Sequence, residues 1–263
     1  MLDILNLPLP FTTPRNVVLP HRDAFGVLHG DAYRPIKDAS EVGNGTRATF
    51  GGVKLTRVHQ SLSMGETKAI LNFSYNPYVI DIREQYPTYS QENYNKYRSR
   101  GDDMPTSTVM SLDVAVTMFL PNSNCLHNHV VSIKSGKDPL SDHDLDRQDR
   151  EFEILRNREW TWQFVFGQRF NKIEYGNNVF LRQYVSGVDI WKHYDEAEFL
   201  AHRLTSHSLN GKLIDILQRH ARYMGISLHR ALVLFSSAVS FGFFYIDHRD
   251  TLRLDRPIPV LRF

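Results

Sequence analysis

Two runs rich in β-branched residues, residues 108–120 (TVMSLDVAVTMFL) and 127–135 (HNHVVSIKS), are separated only by the turn-forming stretch PNSNCL. Leu112, Val114 and Val116 alternate onto one face of the first run, and Val131 and Ile133 do so in the second. Period-two alternation bounded by turn formers predicts strands, and so short a connection predicts an antiparallel hairpin. Asp113 sharpens the constraint. It falls in mid-strand between Leu112 and Val114, where an uncompensated carboxylate costs several kcal/mol. Alternation puts Ser111, Asp113 and Ala115 on one face, and Val130, Ser132 and Lys134 on one face of the partner. A suitable register brings Asp113, Ser132 and Lys134 to one side of the sheet.

The flanking segments complete a mixed layer. Ser61 is placed to cap a helix whose apolar positions Leu62, Ala69, Ile70 and Phe73 keep near-helical spacing until Asn76-Pro77, with Glu66 inside it. Residues 78–85 (YVIDIREQ) read as a strand ended by Pro87, and the polar residues 90–105 as a loop. Residues 142–160 have a helical pattern with Phe152, Leu155 and Trp160 on one stripe, and TWQFVF (161–166) reads as a strand. The expected class is α/β. Residues 1–50, rich in Pro and Gly without a sustained period, read as an irregular arm that wraps or docks a neighbour. Beyond Gly176 the pattern turns helical, over 196–204, 213–223 and 228–241, followed by a ribbon in FFYIDHRDTLRLDRPI. Three helices and a ribbon suggest a winged helix. The expected division is therefore 1–50, 51–175 and 176–263, within the size range of a two-domain chain of 263 residues.

Composition removes several classes. The one cysteine, Cys125, excludes an intrachain disulfide and a multi-cysteine zinc site, and its polar, turn-forming surroundings argue against a nucleophile. The apolar run 231–246 is interrupted by Ser236, Ser237, Ser240 and Gly242 and falls short of the roughly 20 residues of a membrane span. The start, MLDILNLPLPFTTPR, lacks the layout of a secretory signal. No membrane and a cytoplasmic location are the expectations. A net charge of +2 does not by itself argue for nucleic acid. From Ala201 onward, however, basic residues (Arg203, Lys212, Arg219, Arg222, Arg230, Arg249, Arg253, Arg256, Arg262) outnumber acids, so a backbone-binding surface is expected there.

Asp113, Lys134 and a helix-borne Glu66 are the residue types that metal-assisted phosphodiester hydrolysis needs. Magnesium or manganese takes oxygen ligands from clustered carboxylates and a main-chain carbonyl, and a nearby lysine orients water or offsets phosphate charge. Spacing alone leaves the ordinary reading open, in which an Asp, a Lys and a Glu are solvated face residues. His127 and His129 alternate with Lys134 onto the opposite face, and are expected to be structural.

The segments SLSMGETKAILNFSYNPYVIDIREQYP, SLDVAVT, VVSIKSG and EFEILRNREWTWQFVF, in that order over about residues 57–166, resemble the TnsA endonuclease subunits of heteromeric bacterial DNA transposases. The resemblance implies a restriction-endonuclease-like PD-(D/E)xK core with a C-terminal, mainly helical, winged-helix-like domain. It further implies magnesium-dependent cutting of the 5′ (non-transferred) strand at transposon ends, alongside a TnsB-like transposase and a TnsC-like AAA+ ATPase, in a bacterial cytoplasm. Carried over by position, Glu66, Asp113 and Lys134 form the catalytic set. Glu66, Asp113 and the Ile133 carbonyl would hold Mg2+, with Mn2+ as substitute. The family's Gln or Glu two residues before the lysine is here Ser132, shorter and uncharged, which throws more of the metal binding onto Glu66 and Asp113. Glu153 matches a family acidic position and is a candidate partner of Lys134, Gln85 is an auxiliary candidate, and Arg249 and Arg253 are candidate DNA contacts. After Arg230 the third helix is too apolar to read bases, which favours core or protein contact. A freestanding restriction or repair nuclease and a non-catalytic assembly subunit remain alternatives.

Overall fold

The computed structural model describes residues 2–37, 40, 46–121, 123, 125–134 and 140–263, the side chain of Thr106 excepted. Its centre is a mixed four-stranded sheet of order β3-β4-β5-β6: β3 (Val79–Thr88), β4 (Met110–Phe119), β5 (Leu126–Lys134) and β6 (Thr161–Phe166). The chain is α/β, as its alternating runs imply. β3, β4 and β5 pair antiparallel and β6 runs parallel to β5, a connection made by helix α3 (Asp142–Arg156). The expected hairpin forms as β4–β5, paired from Phe119↔Leu126 to Val114↔Val131; Ser135 lies outside the described residues. Helix α1 (Met64–Ser74) buries Ala69, Ile70 and Phe73 in the core that contains Val114, Val116, Val131 and Val165. Helix α3 covers the other face, where Leu155 joins Ala115, Val130 and Trp160.

Several boundaries differ from expectation. A hairpin of β1 (Ala48–Gly51) and β2 (Val58–Ser61), too short to show a period, precedes α1. Helix α1 is capped by Ser63, whose Oγ accepts the Glu66 N–H; Ser61 instead bonds Thr67 and the Ala48 carbonyl. β3 continues through Pro87, which pairs with Ser111. Proline is tolerated because β3 is an edge strand, where one side needs no ladder donor. Residues expected as a loop form helix α2 (Gln91–Arg100), with Ser90 as N-cap and Gly101 as left-handed C-cap. No residue of α2 is buried, so caps rather than packing define it. Helix α3 stops at Arg156, short of Trp160, in a turn that includes Glu159 at φ 57.

The N-terminal arm clasps its own chain. It covers the exposed edge of β3, where unpaired backbone would otherwise invite association. The Tyr33 hydroxyl donates to the Glu84 carbonyl (2.8 Å), His29 Nδ1 lies 2.9 Å from Asp81, and Arg83 donates to Asp23 (2.6 Å). Next to it Arg57 grips the Glu84 carboxylate with both terminal nitrogens (2.8 and 2.5 Å), and Glu84 also accepts the Gln60 N–H. Asp81, Arg83 and Glu84 are thus consumed by folding. Lys54 is buried with no carboxylate partner among the described residues. Burial pushes its amine down from the ordinary lysine range, while its three bonds to Asn76 O, Val79 O and Thr13 Oγ1 match the three donors of an ammonium.

Helices α4 (Lys172–Val185), α5 (Tyr194–Ser206), α6 (Leu213–Met224) and α7 (Leu228–Phe241) follow. α4 crosses the expected division at 175/176: Tyr175 packs against the sheet core, and Leu181 and Val185 against the helical one. α7 is the centre of the helical core, with every residue from Ala231 to Phe241 buried, which settles its role as core. α6 and α7 meet at 106° across Gly225. The expected ribbon does not form among the described residues: after α7 a single antiparallel bridge, Ile246↔Val260, joins the segment to itself. Among the described residues no single helix is long and apolar enough to cross a membrane.

Candidate active site

Glu66 stands at the third position of α1, where the helix dipole favours an anion. Its carboxylate is fixed on both oxygens: Ser63 Oγ donates to Oε1 (3.0 Å), and the Leu62 N–H (2.9 Å) and Gln85 Nε2 (3.3 Å) donate to Oε2. Gln85 is buried and holds φ 48, a left-handed conformation unusual for a side chain other than glycine. That turn in β3 sends its carbonyl to Tyr33 and Ile36 of the arm and its amide to Glu66.

Asp113 lies one residue beyond the last β4–β5 pair, Val114↔Val131, so that its side chain replaces the ladder: Oδ2 accepts the Ile133 N–H at 2.7 Å. The N–H and C=O of one strand residue leave the same edge. The Ile133 carbonyl therefore leaves β5 on the edge that faces β4. Lys134, at the end of β5, donates to Asp144 at 2.7 Å with its side chain 33% exposed. Asp144 closes the capping box of α3 with Ser141. Glu153, the expected partner of Lys134, is exposed on the far face of α3. The acid that points inward is Glu151, two residues earlier and 1% exposed. Its Oε2 accepts from the Ser132 hydroxyl and from Trp162 Nε1 (3.3 Å), and its Oε1 accepts from Arg147 Nε (2.8 Å). Ser132 thus turns to Glu151 instead of serving as a free ligand. Arg147 also reaches Asp113 Oδ1 at 3.3 Å.

The charge of Asp113 is felt at Glu66. Burial and the charge of Asp113 push Glu66 above the ordinary glutamate range, despite its three donors. Burial also pushes Asp113 up, with Glu151 adding to the rise and Arg147 and the Ile133 N–H opposing it. Buried acids that resist ionisation are stabilised by a divalent cation, and an all-oxygen set suits magnesium. Glu66, Asp113 and the Ile133 carbonyl have that chemistry. Among the described residues no three histidine, cysteine, aspartate or glutamate side chains form a ready-made metal cluster.

No family model matches the chain, and no curated protein matches its sequence. Hydrogen bonds pair Glu66 with Gln85 and Asp113 with Ile133, and the charge of Asp113 reaches Glu66; Lys134 turns its ammonium to Asp144, and Glu153 stands apart. Glu151 and Arg147 are the residues that sequence reasoning missed. Both follow Leu155 back along α3 at four-residue steps, so the stripe of that one buried leucine marked them. His127 Nε2 and His129 Nδ1 both meet Thr161 Oγ1 (2.6 and 2.8 Å), a structural pairing across β5 and β6. Burial pushes His129 down to about 4. Arg249 and Arg253 are exposed but already paired with Asp247 and Asp255.

Proposed function

We propose that this chain is a magnesium-dependent DNA endonuclease with a PD-(D/E)xK core, acting as the TnsA-like subunit of a heteromeric transposase. It would cut the 5′ strand at transposon ends together with a TnsB-like transposase and a TnsC-like ATPase. The observation that carries this reading is the pair of buried carboxylates Glu66, on a helix and held by three donors, and Asp113, on a strand and held by the Ile133 N–H, with the charge of Asp113 felt at Glu66. Glu66, Asp113 and the Ile133 carbonyl are the groups that would hold the ion. Bound magnesium, or manganese in its place, would supply a more acidic water and charge for the phosphate. Gln85 orients Glu66 through its amide, and the Ile133 N–H fixes the Asp113 rotamer. Lys134, at the end of β5, would orient the attacking water or offset phosphate charge on leaving Asp144. The helical half, whose α7 is buried in its own core instead of standing free to read bases, suits contact with partner proteins.

One observation favours a second reading, a non-catalytic assembly subunit: Arg147 already neutralises Asp113. Strand-specific cleavage of transposon-end DNA by the reconstituted three-protein mixture separates the two. The endonuclease reading expects 5′-strand cuts with wild-type protein and background levels with Asp113→Ala, while 3′-end cutting by the transposase persists. Full 5′ cutting by the variant would remove Asp113 from catalysis. Absence of 5′ cuts with wild type, in a mixture that still cuts and joins 3′ ends, would favour the assembly role.

A further inference from the structure

We infer that Arg147 stands in for a divalent cation between Asp113 and Glu151, and that Glu151 supplies from α3 the carboxylate that β5 lacks at Ser132. The inference deepens the endonuclease reading and rests on it for the identity of the substrate, though not for the metal site itself.

One guanidinium serves three oxygen acceptors. Arg147 Nε meets Glu151 Oε1 at 2.8 Å, and its terminal NH2 group meets Asp113 Oδ1 and the Ser111 carbonyl, each at 3.3 Å. Two carboxylates and nearby main-chain carbonyls are also the donor set that magnesium and manganese take. Arg147 bridges Glu151 and Asp113 in a largely buried setting, where Asp113 is only 15% exposed and Glu151 only 1%, and so offsets the repulsion between the two acids.

Both acids are held without help from Arg147. Glu151 keeps the Ser132 hydroxyl and Trp162 Nε1, and Asp113 keeps the Ile133 N–H. Arg147 itself is 41% exposed, on a flexible stem that can turn to solvent from α3. Removing it would leave two oriented anions with their free oxygens facing one gap. Ser132 then has a positive role: it is short enough to leave room for a carboxylate arriving from the helix, and its hydroxyl orients that carboxylate.

The test is manganese binding to the full chain without DNA, followed by the free-ion paramagnetic signal and by calorimetry. Arg147→Met is expected to bind manganese about tenfold more tightly than wild type, since it removes the competing cation. Arg147→Lys, which keeps charge but not the two-pronged reach, should fall between. Glu151→Gln should weaken binding in both backgrounds, and circular dichroism verifies that each variant is folded. If Arg147→Met fails to fold, the comparison of wild type, Arg147→Lys and Glu151→Gln carries the test. Manganese affinity indifferent to residues 147 and 151 would overturn the inference. If that happens while wild-type protein still makes Asp113-dependent cuts, the endonuclease reading stands without it. If Arg147→Met gains manganese through Asp113 and Glu151 but neither it nor wild type cuts DNA, the metal site stands and the endonuclease reading fails.

Discussion

Gln85 holds a left-handed backbone that costs a β-carbon about 1–2 kcal/mol, and does so where its amide meets Glu66. Gln85→Ala and Gln85→Gly both remove that amide, but only glycine relieves the backbone. The alanine variant is therefore expected to be less stable than the glycine variant by about 1 kcal/mol in urea denaturation, and both should bind manganese more weakly than wild type. Equal stability of the two would mean that φ 48 carries no strain. Asp113 and Lys134 were legible in the sequence because strand alternation fixes which face a side chain takes. Glu151 was not: two carboxylates two positions apart on a helix differ by about 200° in direction, and only the phase set by Leu155 tells the buried one from the exposed one. The bend at Gln85 had no sequence signal at all, since glutamine is not a residue that announces a positive φ.

Among the elements, β3 depends most on partners from elsewhere. Glu84, Asp81 and Asp23 are all held below the ordinary carboxylate range, by their bonds to Arg57, His29, Tyr86 and Arg83 against the opposing cost of burial. A carboxyl whose folded pKa lies below its unfolded value contributes stability that is fully present above the unfolded value, near 4, and is lost as pH falls through the folded value. The arm should therefore stay docked at neutral pH and release only on acidification well below pH 4. Arg57→Met, which strands the buried Glu84 charge, is expected to cost about 3–5 kcal/mol at pH 7. In that variant protease should cleave within residues 2–37 at neutral pH, where wild type resists; resistance in both would show that the arm is held by other contacts. The four strands of the main sheet and α3 were legible from their periods, as was α2 in retrospect from Ser90 and Gly101, while the short β1–β2 hairpin was not. The clasp was not, because its ion pairs join residues more than 50 positions apart with no local pattern.

At the scale of the molecule, the arm, α1 and α7 meet around Gly242. Gly242 caps α7 at φ 76, and a Cβ there would press on the Phe11 carbonyl and come within 2.8 Å of Pro77 Cβ. Gly242→Ala combines a left-handed penalty with overpacking and should destabilise the protein by about 2–5 kcal/mol. Because the sheet core and the helical core share this junction, the loss is expected in a single unfolding transition, followed in parallel by far-ultraviolet circular dichroism and tryptophan fluorescence; two separated transitions would show that the cores melt independently. The same junction has a mechanical side. Ser240 of α7 donates to the carbonyl of Ser74, the last residue of α1, at 2.9 Å. Glu66 lies eight residues from that anchor, about 12 Å along the same rigid rod. α1 thus has the helical core's anchor at one end and Glu66 at the other, so a displacement of α7 that pulled on Ser74 would be passed along the helix to Glu66.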